Sequence, residues 1–86
     1  GRAVNAAGIE QVAQGLRALG LVSIPTETNF LYFDAKQDGH GVFNALLREG
    51  IIARHIEGTM LRVTIGQPEE NTAFLQALGK VLGGGR

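Results

Sequence analysis

The sequence predicts an α+β fold: a two-layer sandwich in which a small mixed or antiparallel sheet is covered by three helices. Three observations carry this expectation. Apolar residues recur at helical spacing in three stretches: Ile9, Val12, Leu16 and Leu19; Val42, Phe43, Leu46 and Leu47; and Phe74, Leu75, Leu78, Val81 and Leu82. Between these stretches lie short runs rich in β-branched or aromatic residues, at 30–33, 51–56 and 61–65. The resulting order is helix, short strand, strand, helix, strand, strand, helix, which suits one helical layer on one sheet.

Residues 3–19 form the first helix. The alanines supply helix propensity, Gly8 and Gly15 are expected to weaken it, and Gly20 is a stop signal. Residues 21–24 are a short apolar run closed by Pro25, an edge strand or extended lead-in. Residues 29–33 are the second strand. Phe30, Leu31, Tyr32 and Phe33 do not alternate with polar residues, the pattern of a strand buried on both faces. A single layer of helices covers one face only, so the other needs cover from outside these residues. Residues 34–41 read as a loop with Asp38-Gly39 as its turn signal. Residues 42–49 read as a helix ended by Gly50.

Residues 51–56 and 61–65 form a β-hairpin around a three-residue turn, Glu57-Gly58-Thr59. Ile56 then pairs with Met60. Leu61, Val63 and Ile65 share one face, and Arg62 and Thr64 share the other. The last helix runs over residues 68–82, with Pro68 at its first position and Glu69 and Glu70 in its first turn. Gln67 is a weaker cap than Ser or Thr. The strand–helix–strand unit over residues 30–56 calls for a right-handed crossover between parallel strands. The expected spatial order is 30–34, 61–65, 51–55, with the helices on one face. Residues 1–82 make one domain, and 83–86 a disordered tail.

Length and composition exclude several classes. At 86 residues the chain holds one domain, marginally stable alone. Eight basic residues balance eight acidic ones, so net charge argues for neither a nucleic-acid nor a membrane-surface partner. There is no cysteine, which removes disulfide frameworks and cysteine metal sites and suits a cytoplasmic protein. No apolar run reaches a membrane span. The missing initiating Met points to a fragment. His40 and His55 match no metal-ligand spacing, and Ser23 is the only serine, so no hydrolytic triad is argued.

The strongest signal for function is a pair of arginines. With a three-residue turn, Arg54 falls directly opposite Arg62 on one sheet face, whereas a two- or four-residue turn displaces the pairing by one. Like charges directly opposite destabilise a sheet. Such a pair is either two solvated side chains or the walls of a site for carboxylate or phosphate, to which the arginine fork is suited.

Leu61-Arg62-Val63-Thr64-Ile65-Gly66-Gln67-Pro68-Glu69-Glu70-Asn71, followed by Phe74-Leu75 and Ala77-Leu78, resembles the closing segment of histidinol-phosphate aminotransferases. Arg17-Ala18-Leu19-Gly20, Asn29-Phe30-Leu31 and the run from Leu46 to Arg54 match the same family in the same order. The resemblance covers nearly the whole chain. It implies the C-terminal small-domain type of fold-type I, pyridoxal-phosphate-dependent aminotransferases. It further implies that Arg62 contacts the acidic end of the substrate and that Arg54 helps hold its phosphate. The implied partners are the large domain that binds pyridoxal phosphate, a phosphate- or carboxylate-bearing substrate, and a second copy in a homodimer. The implied setting is transamination in histidine biosynthesis. Lys36 and Lys80, the only lysines, read as surface residues, so this chain alone is expected to bind no cofactor and to be inactive. The competing reading is a stand-alone α+β binding or dimerisation module. Either way, the uncovered face bearing Arg62 is expected to drive self-association of the isolated domain.

Overall fold

The computed structural model of the chain describes residues 5–26 and 28–83. Among these, the elements in order are α1 (Ala6–Ala18), β1 (Ser23–Pro25), β2 (Phe30–Asp34), α2 (Gly39–Arg48), β3 (Arg54–Glu57), β4 (Met60–Thr64) and α3 (Pro68–Leu82). The four strands form one sheet in the order β1-β2-β4-β3, and every neighbouring pair is antiparallel. β2 and β3 therefore run parallel, with β4 in the gap between them, as the sequence order requires. β1 adds an outer edge, where Pro25 removes no interior ladder bond. No helix among the described residues is long and apolar enough to cross a membrane.

The helices cover one face. Val12 and Leu16 of α1, Val42 and Leu46 of α2, and Phe74 and Leu78 of α3 bury against Leu31, Phe33, Leu61 and Val63. Phe33 and Phe74 meet edge to face with ring centroids 5.7 Å apart. β2 does not bury both faces, contrary to its unbroken apolar run. Leu31 and Phe33 are fully buried, while Phe30 and Tyr32 are half-buried. The physical reason is the single helical layer: aromatic residues extend the apolar run onto a face that no helix covers.

Several boundaries differ from the sequence reading. α2 begins at Gly39, not residue 42, because Asp38 caps it: its Oδ2 accepts from the Gly41 N–H at 3.2 Å. The Asp-Gly pair is thus a helix start, not a loop turn. β3 begins at Arg54, not residue 51, because Ile51 still belongs to the end of α2. Its N–H donates to the Leu46 carbonyl, and the Gly50 N–H donates to that of Leu47, each at 2.9 Å. Gly50, at φ 82°, makes this turn possible. The hairpin turn holds two residues, Gly58 and Thr59, not three. Glu57 pairs with Met60, and a bulge leaves Ile56 without an opposite residue.

α1 starts at Ala6, and Ala3 lies outside the described residues. Gly8 serves close packing in this helix: a Cβ there would lie 2.6 Å from Ile65 Cγ2. At the other terminus Gly83 caps α3, and residues 84–86 of the expected tail lie outside the described residues.

The start of α3 is fixed from within the helix. Glu70 Oε1 accepts from the Gln67 N–H at 2.8 Å, so Gln67 is capped by its own first turn. Asn71 goes further. Only 3% exposed, it accepts from the Gly66 N–H at 2.9 Å, and its Nδ2 donates to the Gly66 carbonyl at 3.1 Å and to Gln11 Oε1 at 3.0 Å. Gln11 in turn donates to the Pro68 carbonyl and to Thr72 Oγ1, both at 3.1 Å. One buried amide thus ties the end of β4, the start of α3 and the middle of α1. Replacing Asn71 by Ala should cost about 2 kcal/mol, because Gly66 loses both partners in a closed site. Urea unfolding should show a lower midpoint with an unchanged slope.

Candidate functional site

The uncovered sheet face presents its side chains in three rows, set by register. Phe30 lies opposite Thr64, Tyr32 opposite Arg62, and Asp34 opposite Met60. On the far side of β4, Arg54 lies opposite Arg62 and Glu57 opposite Met60. Ile24 of β1 extends the middle row beyond Tyr32. That row reads Ile24, Tyr32, Arg62, Arg54 across all four strands.

The two arginines therefore face each other, although the expected turn length was wrong. A two-residue turn by itself would set Arg54 opposite Val63, whose side chain enters the core. The extra residue at Ile56 moves the register back by one and returns Arg54 to the open face. Turn and bulge compensate, and both arginines share one face.

Their surroundings differ. Arg62 is half-buried on an interior strand, whereas Arg54 is exposed on an edge strand. The Arg62 guanidinium lies over the Phe30 ring, with Cζ 4.3 Å from the centroid. Phe30 belongs to β2, on the side of β4 away from Arg54, so Arg62 leans away from the like charge. Its Nε is buried and has no hydrogen-bond partner. Among the described residues neither arginine forms an ion pair.

Two carboxylates flank the lower row without joining the arginines. Asp34 is held below the usual carboxylate range, first by a hydrogen bond from the Thr59 hydroxyl and then by the Lys36 N–H, at 2.8 Å from Oδ1. Glu57 lies across Met60 from it. The face is thus basic and aromatic in its middle and acidic at the hairpin end.

The structure also brings together two residues that spacing did not connect. His40 and His55 meet edge to face, with ring centroids 5.9 Å apart. His55 Nε2 donates to the Gly58 carbonyl at 3.0 Å, and the Gly39 N–H donates to the same oxygen at 2.9 Å. The pair fastens the hairpin turn to the start of α2, on the side of the sheet opposite Arg54. No group of three metal-ligating side chains occurs among the described residues. A groove of about 420 Å³ opens beside this pair, lined by Phe43, Leu47, Ile52 and Arg54. It does not reach Arg62.

No protein-family profile matches the chain. Sequence relatives are nonetheless clear. The chain is 52% identical over 85 residues to histidinol-phosphate aminotransferase 2 of Pseudomonas aeruginosa, covering 94% of this chain and 23% of that protein. It is 46% identical over 85 residues to histidinol-phosphate aminotransferase 1 of Nitrosococcus oceani, with the same coverage of each. Among solved structures, the histidinol-phosphate aminotransferase of Clostridium acetobutylicum superposes with a TM-score of 0.80 at 22% identity, over 91% of this chain and 26% of that one. A decarboxylase from Sulfurospirillum multivorans gives 0.76 at 24% identity, over 88% and 24%. These two structures establish the fold alone. The chain spans about a quarter of the length of the curated relatives it matches. Along nearly its whole length it is homologous to a segment of histidinol-phosphate aminotransferases, and its fold is of the aminotransferase small-domain type.

Arg62 carries a buried nitrogen with no partner among the described residues, which costs stability. Arg62→Met keeps the length and the apolar contact with Phe30 while removing that nitrogen. Thermal unfolding should show equal stability or a gain of up to about 1 kcal/mol. A clear loss would mark Arg62 as a structural residue.

Proposed function

We propose that this chain acts as the small domain of a histidinol-phosphate aminotransferase and holds the anionic groups of the substrate with Arg62 and Arg54. The observation that carries this reading is the middle row of the uncovered face. Two arginines of adjacent strands sit opposite each other there, and among the described residues neither is ion-paired with a carboxylate. Homology to the named enzymes supports an anionic substrate, and the row supports these two residues as its contacts.

The division of labour follows from position. Arg62 stands on an interior strand, and its stem is packed, so its charge is fixed in space and suits the acidic end of the substrate. Arg54, exposed on the edge, suits the more diffuse charge of a phosphate, where a longer reach costs little specificity. The lean of Arg62 toward β2 separates the two charges, so each takes its own anionic group. Phe30 and Tyr32, both half-buried, flank Arg62 on this face with apolar surface. An ionic contact there is stronger than in open solvent.

The residues present do not fit pyridoxal phosphate as an anchored cofactor. Holding it requires an amine, and neither lysine belongs to a strand of the sheet. Lys80 Nζ is engaged with the Glu49 carboxylate at 3.2 Å on the helical side, and Lys36 lies in the loop after β2. The cofactor in this reading belongs to a large domain that packs over the uncovered face. In the assembled homodimeric, cytoplasmic enzyme of histidine biosynthesis, this chain binds and orients substrate and takes no part in bond breaking.

In the full-length enzyme, Arg62→Ala should raise KM for the anionic substrate by about 10- to 100-fold, the range of one lost charge-assisted contact. Arg54→Ala should raise it less, because an exposed side chain on an edge strand is less ordered. Arg54→Ala should leave the unfolding temperature unchanged, and Arg62→Ala should lower it little. Steady-state kinetics with an unchanged KM for Arg62→Ala would overturn the reading.

A further inference from the structure

Register alone does not bring Arg62 to Phe30. The residue directly opposite Arg62 on β2 is Tyr32, and Phe30 is opposite Thr64. Arg62 reaches Phe30 only along the diagonal, a direction open to long and aromatic side chains. It takes that diagonal although other partners lie on the same face. Asp34 and Glu57 both flank Met60, two residues from Arg62 along β4, and each carries the opposite charge. Neither is ion-paired with Arg62. Asp34 is occupied by the Thr59 hydroxyl and the Lys36 N–H.

The consequences for the guanidinium are specific. Its Cζ lies over the ring, 4.3 Å from the centroid. The Nε edge is buried. What remains is the end of the fork, Nη1 and Nη2, with no partner among the described residues. An arginine free in solvent samples many rotamers, and a ligand must order it on binding. An arginine already held against a ring has part of that ordering done beforehand.

We propose that Phe30 is a positioning residue for Arg62: its ring holds the guanidinium in place and leaves the two terminal nitrogens to receive a carboxylate or phosphate of the substrate. The proposal rests on the reading of Arg62 as the substrate-anion contact. Phe30 itself need not touch the substrate. Its contribution is to aim a charge, so its loss acts on binding and not on the chemical step.

The test uses the full-length enzyme. Phe30→Leu keeps an apolar side chain and removes the ring, whereas Phe30→Tyr keeps the ring. Phe30→Leu should raise KM for the anionic substrate about five- to tenfold with kcat nearly unchanged, as lost uniform binding does. Phe30→Tyr should behave as the parent enzyme. In an Arg62→Ala background, Phe30→Leu should add nothing, since the two act as one unit. If Arg62→Ala raises KM and Phe30→Leu does not, the positioning role is wrong and the anion contact stands. If Arg62→Ala leaves KM unchanged, the anion contact fails and the positioning role falls with it. A readout independent of folding in the Leu variant is the Arg62 Nε–H resonance of the parent protein. It should be shifted upfield by the ring and protected from exchange. An averaged, unshifted signal would overturn the proposal without any kinetics.

Discussion

A single layer of helices covers a single face of a sheet, and most of this structure follows from that constraint. Helices α1, α2 and α3 all pack on the side of Leu31, Phe33, Leu61 and Val63. Burial in β2 and β4 therefore alternates with period two, whatever the composition of the strand. Everything polar or charged on the interior strands is sorted to the other side: Asp34, Arg62 and Thr64. Phe30 and Tyr32 follow the same rule despite being aromatic. The fold thus builds its core and its candidate site in one operation, because the residues that cannot enter the core are the ones displayed together. The row Tyr32, Arg62, Arg54 is a consequence of register among strands held in place by the opposite face.

The polar contacts serve this arrangement at its ends. A sheet covered by helices needs each chain reversal to be closed, since loose backbone groups at helix ends have no other partner. Gly20 and Gly50 close α1 and α2 in the same way. The N–H groups of Leu21 and Ile51 reach back to Leu16 and Leu46, each at 2.9 Å. Asn71 closes the reversal from β4 into α3, and it adds α1 through Gln11. A buried asparagine is costly when half-satisfied and useful when both ends of its amide are engaged. Here they are, and the contact specifies where β4 ends. That position bears on the candidate site because it sets which residues of β4 remain in the sheet, Arg62 among them.

Much of this was legible in the sequence. Leu61, Val63 and Ile65 alternate with Arg62 and Thr64, and that alternation alone assigns Arg62 to the open face. The order of the three main strands follows from the crossover and the hairpin. The facing of Arg54 and Arg62 was also expected, but through a turn that does not exist. Its realisation depends on the bulge at Ile56, and nothing in Arg-His-Ile-Glu distinguishes a bulged strand from a regular one. Asp38 was readable as a helix cap, yet Asp-Gly is also a turn signal, and local sequence does not decide between them. The His40–His55 contact and the Arg62–Phe30 stack depend on tertiary placement across 15 and 32 positions of chain respectively. Side-chain spacing along one element carries no information about either. Asn71 is a similar case: its sequence neighbourhood reads as the first turn of a helix, and its role comes from Gly66 and Gln11.

The energetics of Arg62 separate it from the other charged residues. Surface charges in this chain follow the ordinary pattern: Lys80 pairs with Glu49, and Arg17 lies 3.9 Å from Glu10. Such pairs contribute little, and their members are largely solvated. Arg62 is instead half-buried, faces a like charge, and leaves Nε without a partner. Its contact with Phe30 offsets only part of that, since a cation over a ring at a partly exposed site is worth about 0.5–2 kcal/mol, against about 1–3 for a buried unpaired donor. The balance is unfavourable or near zero in the free chain. In the proposed reading, an anion at the Nη end would offset that balance by adding an opposite charge, while Nε stays unpaired. The pose is therefore poor as a stabilising device, which is consistent with the anion-binding role proposed above.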